Sequence, residues 1–382
     1  MNKINKTCET RIYDHMLALV PGIGDITIAA LLDVFKTASG VFKAGESELE
    51  RVPGLSKKKI EALISTGKDK EKIRRQTDNW EKTGIRTVFI TDDDYPSVLK
   101  HLYDAPYALY YMGKLPVASA PAVAIVGARG CTDYGKNVAY SFGKQLAREG
   151  IQIISGMAAG ADIYGHKGAI GSGGYTAGIL GCGVDICYPR INISTYFEMK
   201  ENGCIMSEVP PGTRPAPGLF PRRNRLIAAL SDAVIVIEAR ERSGSLITAD
   251  QALEQGKDVF AVPGRIGDPL SEGCISLIKQ GAIPLTSVKD ILECDSIKRK
   301  TADNNIPSEL SSEQKDCDPS SCRENDLNYK VYEVLTDMPK NINRIMYETR
   351  LGYEITAQAL LELELEGLLR CVSAGLYVRS AL

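Results

Sequence analysis

The chain has 382 residues, 44% of them hydrophobic and 25% charged, with a formal net charge of −2. That length holds two or three globular domains, and the near-neutral charge excludes a protein that is basic all over while permitting a local basic groove. No apolar run approaches the roughly 18 residues that span a bilayer, and the start, "MNKINKTCETRIYDHM", lacks a signal peptide's apolar stretch; a cytoplasmic protein without a membrane partner is expected.

Residues 1–80 read as a small domain of short helices, marked by two similar phrases, "LALVPGIGDITIAALLDVF" and "LERVPGLSKKKIEALI". Each is helix, Pro-Gly turn, helix. The pattern resembles a helix-hairpin-helix (SAM-like) pair, whose turn N–H groups and following helix N-terminus can hold a DNA phosphate. In the second copy Ser56 stands in the place of Gly24, and Lys57, Lys58 and Lys59 follow it. The plainer reading is a helical domain that only packs or docks a partner.

Residues 81–295 alternate short apolar runs with amphipathic stretches. The runs are "AVAIVG", "IQIISG", "TAGILG", "CIMSE", "AVIVIEA" and "DVFAVPG"; between the first two, Val138, Phe142 and Leu146 recur every fourth residue. Continuous apolar strands alternating with helices predict an α/β domain, a doubly wound parallel (extended Rossmann-like) sheet covered on both faces. Residues 296–326 are polar and rich in Ser, Asp, Lys and Asn, the composition of a flexible linker. Residues 327–382 read as three short helices and a hairpin closed by Ser373-Ala374-Gly375, the order of a winged helix.

In a doubly wound sheet the ligand lies beyond the carboxyl ends of the strands, so the loops after these runs are where a site is sought. After the first stands "GARGCTDYG": Gly127 lets backbone approach a ligand, Arg129 offers a fork of donors, and Thr132 or Asp133 can cap the next helix. Gly127, Gly130 and Gly135 lack Gly-x-Gly-x-x-Gly spacing, and the second strand ends in Ser155-Gly156 where a ribose-binding acid would stand, which argues against NAD. No Gly-x-x-x-x-Gly-Lys-Ser/Thr occurs either, which disfavours a P-loop hydrolase. Glycines and small hydroxyls recur in the other loops, including Ser243, Gly244, Ser245 and Thr248. Arg129, Lys167, Arg222, Arg223, Arg225, Arg240 and Arg242 supply charge, and Phe220 in "GLFPRRNRLIAAL" supplies a ring. Several cationic sites beside an aromatic suit a single nucleic-acid strand, because a base stacked on Phe220 is worth about 1–3 kcal/mol. Asn224 reads as a cap for the apolar helix expected to follow the arginines.

Nothing points to catalysis. The ten cysteines form no Cys-x-x-Cys pair, only three histidines are present, and no nucleophile–base arrangement has a recognisable local context, so no enzyme activity, cofactor or metal is expected. His166, Asp162 and Asp185 read as loop-ordering or capping residues.

The ordered series "VGARGCTDYG", "SGMAAGAD", "GCGVDICYP", "SEVPPGTRP", "FPRRNRLIAALS", "EARERSGSLITADQALEQGKDVFAVPG" and "GCISLIKQGA" resembles the DNA-processing protein A (Smf) family, over about residues 95–292. The resemblance implies a cytosolic protein that binds single-stranded DNA during natural transformation (competence), protects the incoming strand, helps load the RecA recombinase, and works as a homodimer without a catalytic cycle. Residue by residue, Arg129 matches the arginine of the family's Gly-x-Arg loop; Phe220, Arg222, Asn224 and Arg225 match its "FPxRNR" motif; Lys167 matches a lysine after "GID..AH". Some relatives carry a lysine three residues ahead of the Phe where this chain has Pro217, so the resemblance leaves Arg214 or Arg223 to supply that charge. The expected DNA-binding set is therefore Gly127, Arg129, Gly156, Lys167, Phe220, Arg222, Arg223, Asn224, Arg225, Ser243, Ser245 and Thr248.

Two rival functions share the pattern. One is a nucleotide phosphoribohydrolase of the Lonely Guy or lysine-decarboxylase-like type, whose "PGGxGTxxE" motif is not matched by "RSGSLITAD" or "VPGRIGD". The other is an adaptor acting through its terminal domains. In the winged helix the segment Thr356 to Leu369 carries Glu362, Glu364 and Glu366 and no Lys or Arg, which would repel phosphate and predicts a protein-contact or regulatory module.

Overall fold

The computed structural model of the protein describes residues 8–303, 327–336, 339–365, 368–373 and 375–379, in two compact units divided near residue 304. Six helices come first: α1 (Cys8–Ala18), α2 (Asp25–Phe35), α3 (Ala38–Lys43), α4 (Glu46–Leu49), α5 (Lys57–Lys68) and α6 (Lys70–Lys82). Both Pro-Gly phrases form helix-to-helix turns. Gly22 and Gly54 adopt φ of +76° and +78°, the left-handed conformation that only glycine takes without strain.

These helices close only a small core of their own, Ile12, Met16 and Ile73. Leu17, Leu31, Leu63 and Trp80 join one buried cluster with Tyr110, Met157, Leu180 and Ile205 of the following segment, and Trp80 meets Tyr110 edge-on with ring centroids 5.6 Å apart. The helical segment is therefore seated on one end of the sheet.

That sheet has nine strands, introduced here with the helices between them: β1 (Arg86–Phe89), β2 (Ala108–Gly113), β3 (Ala122–Val126), α7 (Asp133–Arg148), β4 (Gln152–Ser155), α8 (Ala161–Gly171), β5 (Thr176–Ile179), α9 (Ile193–Asn202), β6 (Cys204–Ser207), α10 (Leu219–Leu230), β7 (Ala233–Val236), α11 (Gly244–Glu254), β8 (Asp258–Ala261), α12 (Glu272–Lys279) and β9 (Ile283–Pro284). The spatial order is β1-β2-β6-β5-β4-β3-β7-β8-β9. From β6 to β9 all pairs are parallel, and β2 and β1 extend the sheet antiparallel.

Both faces are covered, as continuous apolar strands require. Along β3, Ala122, Ala124 and Val126 join the cluster that holds Leu226 and Ile227 of α10 and Ala249 of α11, whereas Val123 and Ile125 join the cluster that holds Ala139 and Leu146 of α7 and Ala169 of α8. Thr132 caps α7 by accepting the Gly135 N–H. The two helices α7 and α8 touch backbone to backbone: a Cβ on Gly143 would stand 2.3 Å from Gly165 O, and one on Gly168 2.1 Å from Tyr140 O.

After α13 (Val288–Leu292) the chain continues as α14 (Asp295–Asp303), so the linker expected from residue 296 does not begin there. Ile297 is fully buried beside Ile291 and Cys294, and Lys300 pairs with Asp232 at 2.9 Å, which holds this polar stretch against the domain. Residues 304–326 of the expected linker lie outside the described residues.

The second unit contains α15 (Leu327–Val334), β10 (Lys340–Asn341), α16 (Ile342–Thr349), α17 (Tyr353–Leu365), β11 (Leu369–Ser373) and β12 (Leu376–Arg379), with strand order β10-β12-β11. Three helices precede a hairpin, in the expected order. Leu369, expected at the end of the third helix, already belongs to a strand; Ala374 of the expected turn lies outside the described residues. Val331, Ile345, Leu360 and Leu363 form this unit's core.

Candidate functional site

The strand order reverses at β3. Strands β4, β5 and β6 lie on one side of it and β7, β8 and β9 on the other. A crevice therefore opens where the loops after β3 and β7 part, the position at which open α/β sheets bind their ligands. It holds a cavity of about 600 Å3. Of the residues expected from sequence, Gly127, Arg129, Phe220, Arg223, Asn224, Ser243, Ser245 and Thr248 line it.

The floor is charged and sealed. Arg223 is 5% exposed and donates from Nη1 to the Ile179 carbonyl. Its Nε has no hydrogen-bond partner among the described residues. Burial lowers its pKa to about 10, opposed by the negative charge of Asp162. Asp162, at the start of α8, accepts the Gly156 and Ala158 N–H groups at 3.1 and 3.3 Å; burial raises its pKa while Arg223 and these donors pull it down. Gly156 does not line the cavity. It makes room behind it, since a Cβ there would stand 2.1 Å from Arg223 Nη1. Met157, next in line, is buried with φ of +58°, a strained conformation of the kind that collects at binding sites.

His166 lies inside α8, fully buried, with Nδ1 2.6 Å from Thr176 Oγ1; because that hydroxyl donates to the Ile153 carbonyl, it accepts from the ring. Burial, helped by Arg223, lowers its pKa to about 3. It is a neutral core residue and not the loop or cap residue expected. Asp185 does act in a loop, accepting the Gly212 N–H at 2.8 Å.

The rim supplies the aromatic and the free charge. The Arg129 guanidinium sits 5.4 Å from the centroid of the half-buried Phe220 ring, and Tyr188 meets that ring at 5.6 Å, tilted by 33°. Exposed Arg242 leads into α11, whose N-terminus faces the cavity through Ser243, Gly244 and Ser245. Ser243 caps that helix by accepting the Ser245 N–H. Glu238, at the end of β7, accepts both the N–H and the hydroxyl of Thr132 at 2.8 and 2.6 Å and so ties the Arg129 loop to the opposite wall. A helix N-terminus, two exposed cations and a ring form a place for an anion joined to a flat base.

The arginine-rich stretch differs from its expected form. Helix α10 starts at Leu219, so the arginines lie within it, and Asn224 is an interior residue that donates to the Gly244 carbonyl at 3.2 Å instead of a cap. Successive side chains are about 100° apart. Phe220, Arg223, Asn224 and Ile227 consequently face the cavity, while Arg222 and Arg225 point away from it. Arg222 lies 2.8 Å from Asp25 and 3.1 Å from Glu208; Arg225 pairs with Glu208 and lies 3.0 Å from Asp104. Lys167 is also outside the cavity, exposed on α8 over the Tyr164 ring at 5.4 Å. Sequence reasoning missed Tyr188 and the apolar wall of Pro215, Ala216 and Pro217. The signal for Tyr188 was present, as an aromatic at the end of "GCGVDICYP", one of the loops singled out for function.

Among the described residues no group of three or more potential ligands could hold a metal ion, and no helix is long and apolar enough to cross a membrane.

The DNA recombination-mediator protein A family matches residues 86–295, and a SAM-like helix-hairpin-helix tandem matches residues 14–69. The chain is 43% identical to DNA processing protein DprA of Bacillus subtilis over 223 residues, 58% of this chain and 75% of that protein. It is similar to the X-ray structure of DprA from Streptococcus pneumoniae with a TM-score of 0.65 at 34% identity, covering 74% of this chain and 96% of that one. It is similar also to DNA processing protein A from Helicobacter pylori, whose structure describes a single-stranded DNA binding mode, with a TM-score of 0.51 at 32% identity, covering 57% of this chain and 96% of that one.

Proposed function

Since this chain belongs to the DNA recombination-mediator protein A family, we propose that it binds single-stranded DNA across the crevice between β3 and β7. One base stacks on Phe220, and neighbouring phosphates meet Arg129, Arg242 and the N-terminus of α11. The observation that carries this reading is the half-buried Phe220 ring beside Arg129 and Tyr188 at the mouth of the cavity. A single strand exposes base faces to such a ring, and a duplex hides them.

The role is one of binding and not of catalysis, because the buried ionisable groups on the floor are held by backbone, Arg223 on the Ile179 carbonyl and Asp162 on the Gly156 and Ala158 N–H groups. Arg223 answers Asp162, and His166 is held neutral. In a cytoplasmic setting the bound strand would be shielded from nucleases and passed to a RecA recombinase, with the protein acting as a homodimer. Sequence preference would be weak, since stacking and phosphate contacts tolerate any base.

The test is a salt series of binding to fluorescent oligo-dT and to the matching duplex. Tighter binding of the single strand, affinity that falls with salt, and a salt slope reduced by about one in Arg129→Ala would support the reading. Equal affinity for both nucleic acids, or none for either, would end it. Release of free base from nucleoside monophosphates, in proportion to protein, would favour a phosphoribohydrolase instead.

A further inference from the structure

The helical segment reaches the site's own helix through charge. Asp25 opens α2, directly after the turn of the first hairpin. Its Oδ1 accepts the Tyr107 N–H at 2.9 Å, and its Oδ2 accepts Arg222 Nη2 at 2.8 Å. From Arg222 the chain of contacts runs through Glu208 to Arg225 and on to Asp104. Glu208 follows β6, and Asp104 precedes β2. Helix α10 is thus tied at two positions one turn apart, to three other parts of the fold, on the side away from the cavity.

Such a network is costly to bury and adds little net stability, yet it admits few geometries. What it holds is rotation. A side-chain tip about 5–6 Å from a helix axis moves by about 2 Å when the helix rolls 20°, enough to take Phe220 out of its place under Arg129. The side chains of Glu208 and Arg225 are 4% and 9% exposed, so this part of the network is shielded from solvent screening.

We infer that the helical segment is a positioning element for strand binding: Asp25, acting through Arg222 and Glu208, sets the roll of α10 and with it the placement of Phe220 and Arg223. Arg222 is then a positioning residue and not a phosphate contact. The first hairpin is drawn in too, because Asp25, the first residue of α2, is turned to Tyr107 and Arg222 and brings a negative charge to the end of the helix where a phosphate would approach. This inference rests on the reading of the cavity as the strand site.

The full chain carrying Asp25→Asn, Arg222→Gln, or both is titrated with oligo-dT across a salt series, and amide exchange along α10 is followed without DNA. Each single change should weaken binding roughly threefold to tenfold with the salt slope unchanged. The double variant should be no worse than either single one, and exchange at residues 219–224 should quicken. Asp25→Asn that binds as well as or better than wild type, or Arg222→Gln that lowers the salt slope by about one, would show Arg222 to be a direct contact and overturn the inference. Unchanged exchange along α10 with strand binding intact would overturn the positioning role alone. A wild-type chain that ignores single strands would remove the strand site, and the inference with it.

Discussion

Along α10, the side chains at 220, 223 and 224 line a cavity while those at 222 and 225 turn to the other side and meet carboxylates. Arg222 and Arg223 are neighbours of the same residue type, and they have different work. The buried one answers Asp162 beneath the ligand's place; the half-exposed one ties the helix to Asp25 and Glu208. A cluster of arginines is therefore not a measure of how much phosphate a surface can bind. The measure is which of them lack a carboxylate of their own.

Changes on the two faces should separate cleanly. The largest effect is expected from Arg223→Met, which removes a buried charge and leaves the Ile179 carbonyl without its donor: a loss of about 1–3 kcal/mol in urea unfolding, more than any single exposed arginine costs. Phe220→Ala should leave unfolding nearly unchanged and cost about 1–3 kcal/mol in oligo-dT affinity; a comparable loss of stability would erase the distinction between the faces. His166, next to the Arg223 floor, sharpens it further. Its folded pKa of about 3 lies below the ordinary value of 6.5, so the folded state binds fewer protons, and stability present above pH 6.5 is lost as pH falls toward 3. In that window His166→Gln should flatten the pH dependence of unfolding by up to about 1.4 kcal/mol per pH unit, read from denaturant midpoints. The smallest effect is expected from removing residues 305–382. That unit's α17 carries Glu354, Glu362 and Glu364 and no Lys or Arg, and oligo-dT affinity of the remaining unit should match that of the full chain. A large loss would mean that the acidic helix contributes to the strand site after all.

Strands β3 to β8 were legible because burial on both faces leaves an unbroken apolar run, whereas the short, exposed parallel strand β9 has no such run; the loop glycines and serines were legible because the topology places all strand ends together. Strands β1 and β2 were not picked out. Their residues pack partly against Trp80 and the helical segment, so their pattern follows a second partner that the local sequence does not show. The fates of Arg222 and Arg225 were obscured by where the helix was taken to start. Once it begins at Leu219, the spacing from Phe220 to Arg223 and Asn224 selects the cavity face, and a 200° turn takes Arg222 off it. Asp25, which holds Arg222, lies 197 residues away in the chain, beyond the reach of any local pattern.

The backbone contact between α7 and α8 bears on how fast and how tightly a ligand can be held. Each helix begins just after a loop that borders the cavity, and Gly143 and Gly168 let the two pack without side chains that could slide or change rotamer. The walls carrying Arg129 and Asp162 are therefore joined through direct backbone contact. The entropy of ordering them is spent during folding, so an arriving ligand finds a finished surface, and differences in affinity among ligands should appear in how slowly they leave.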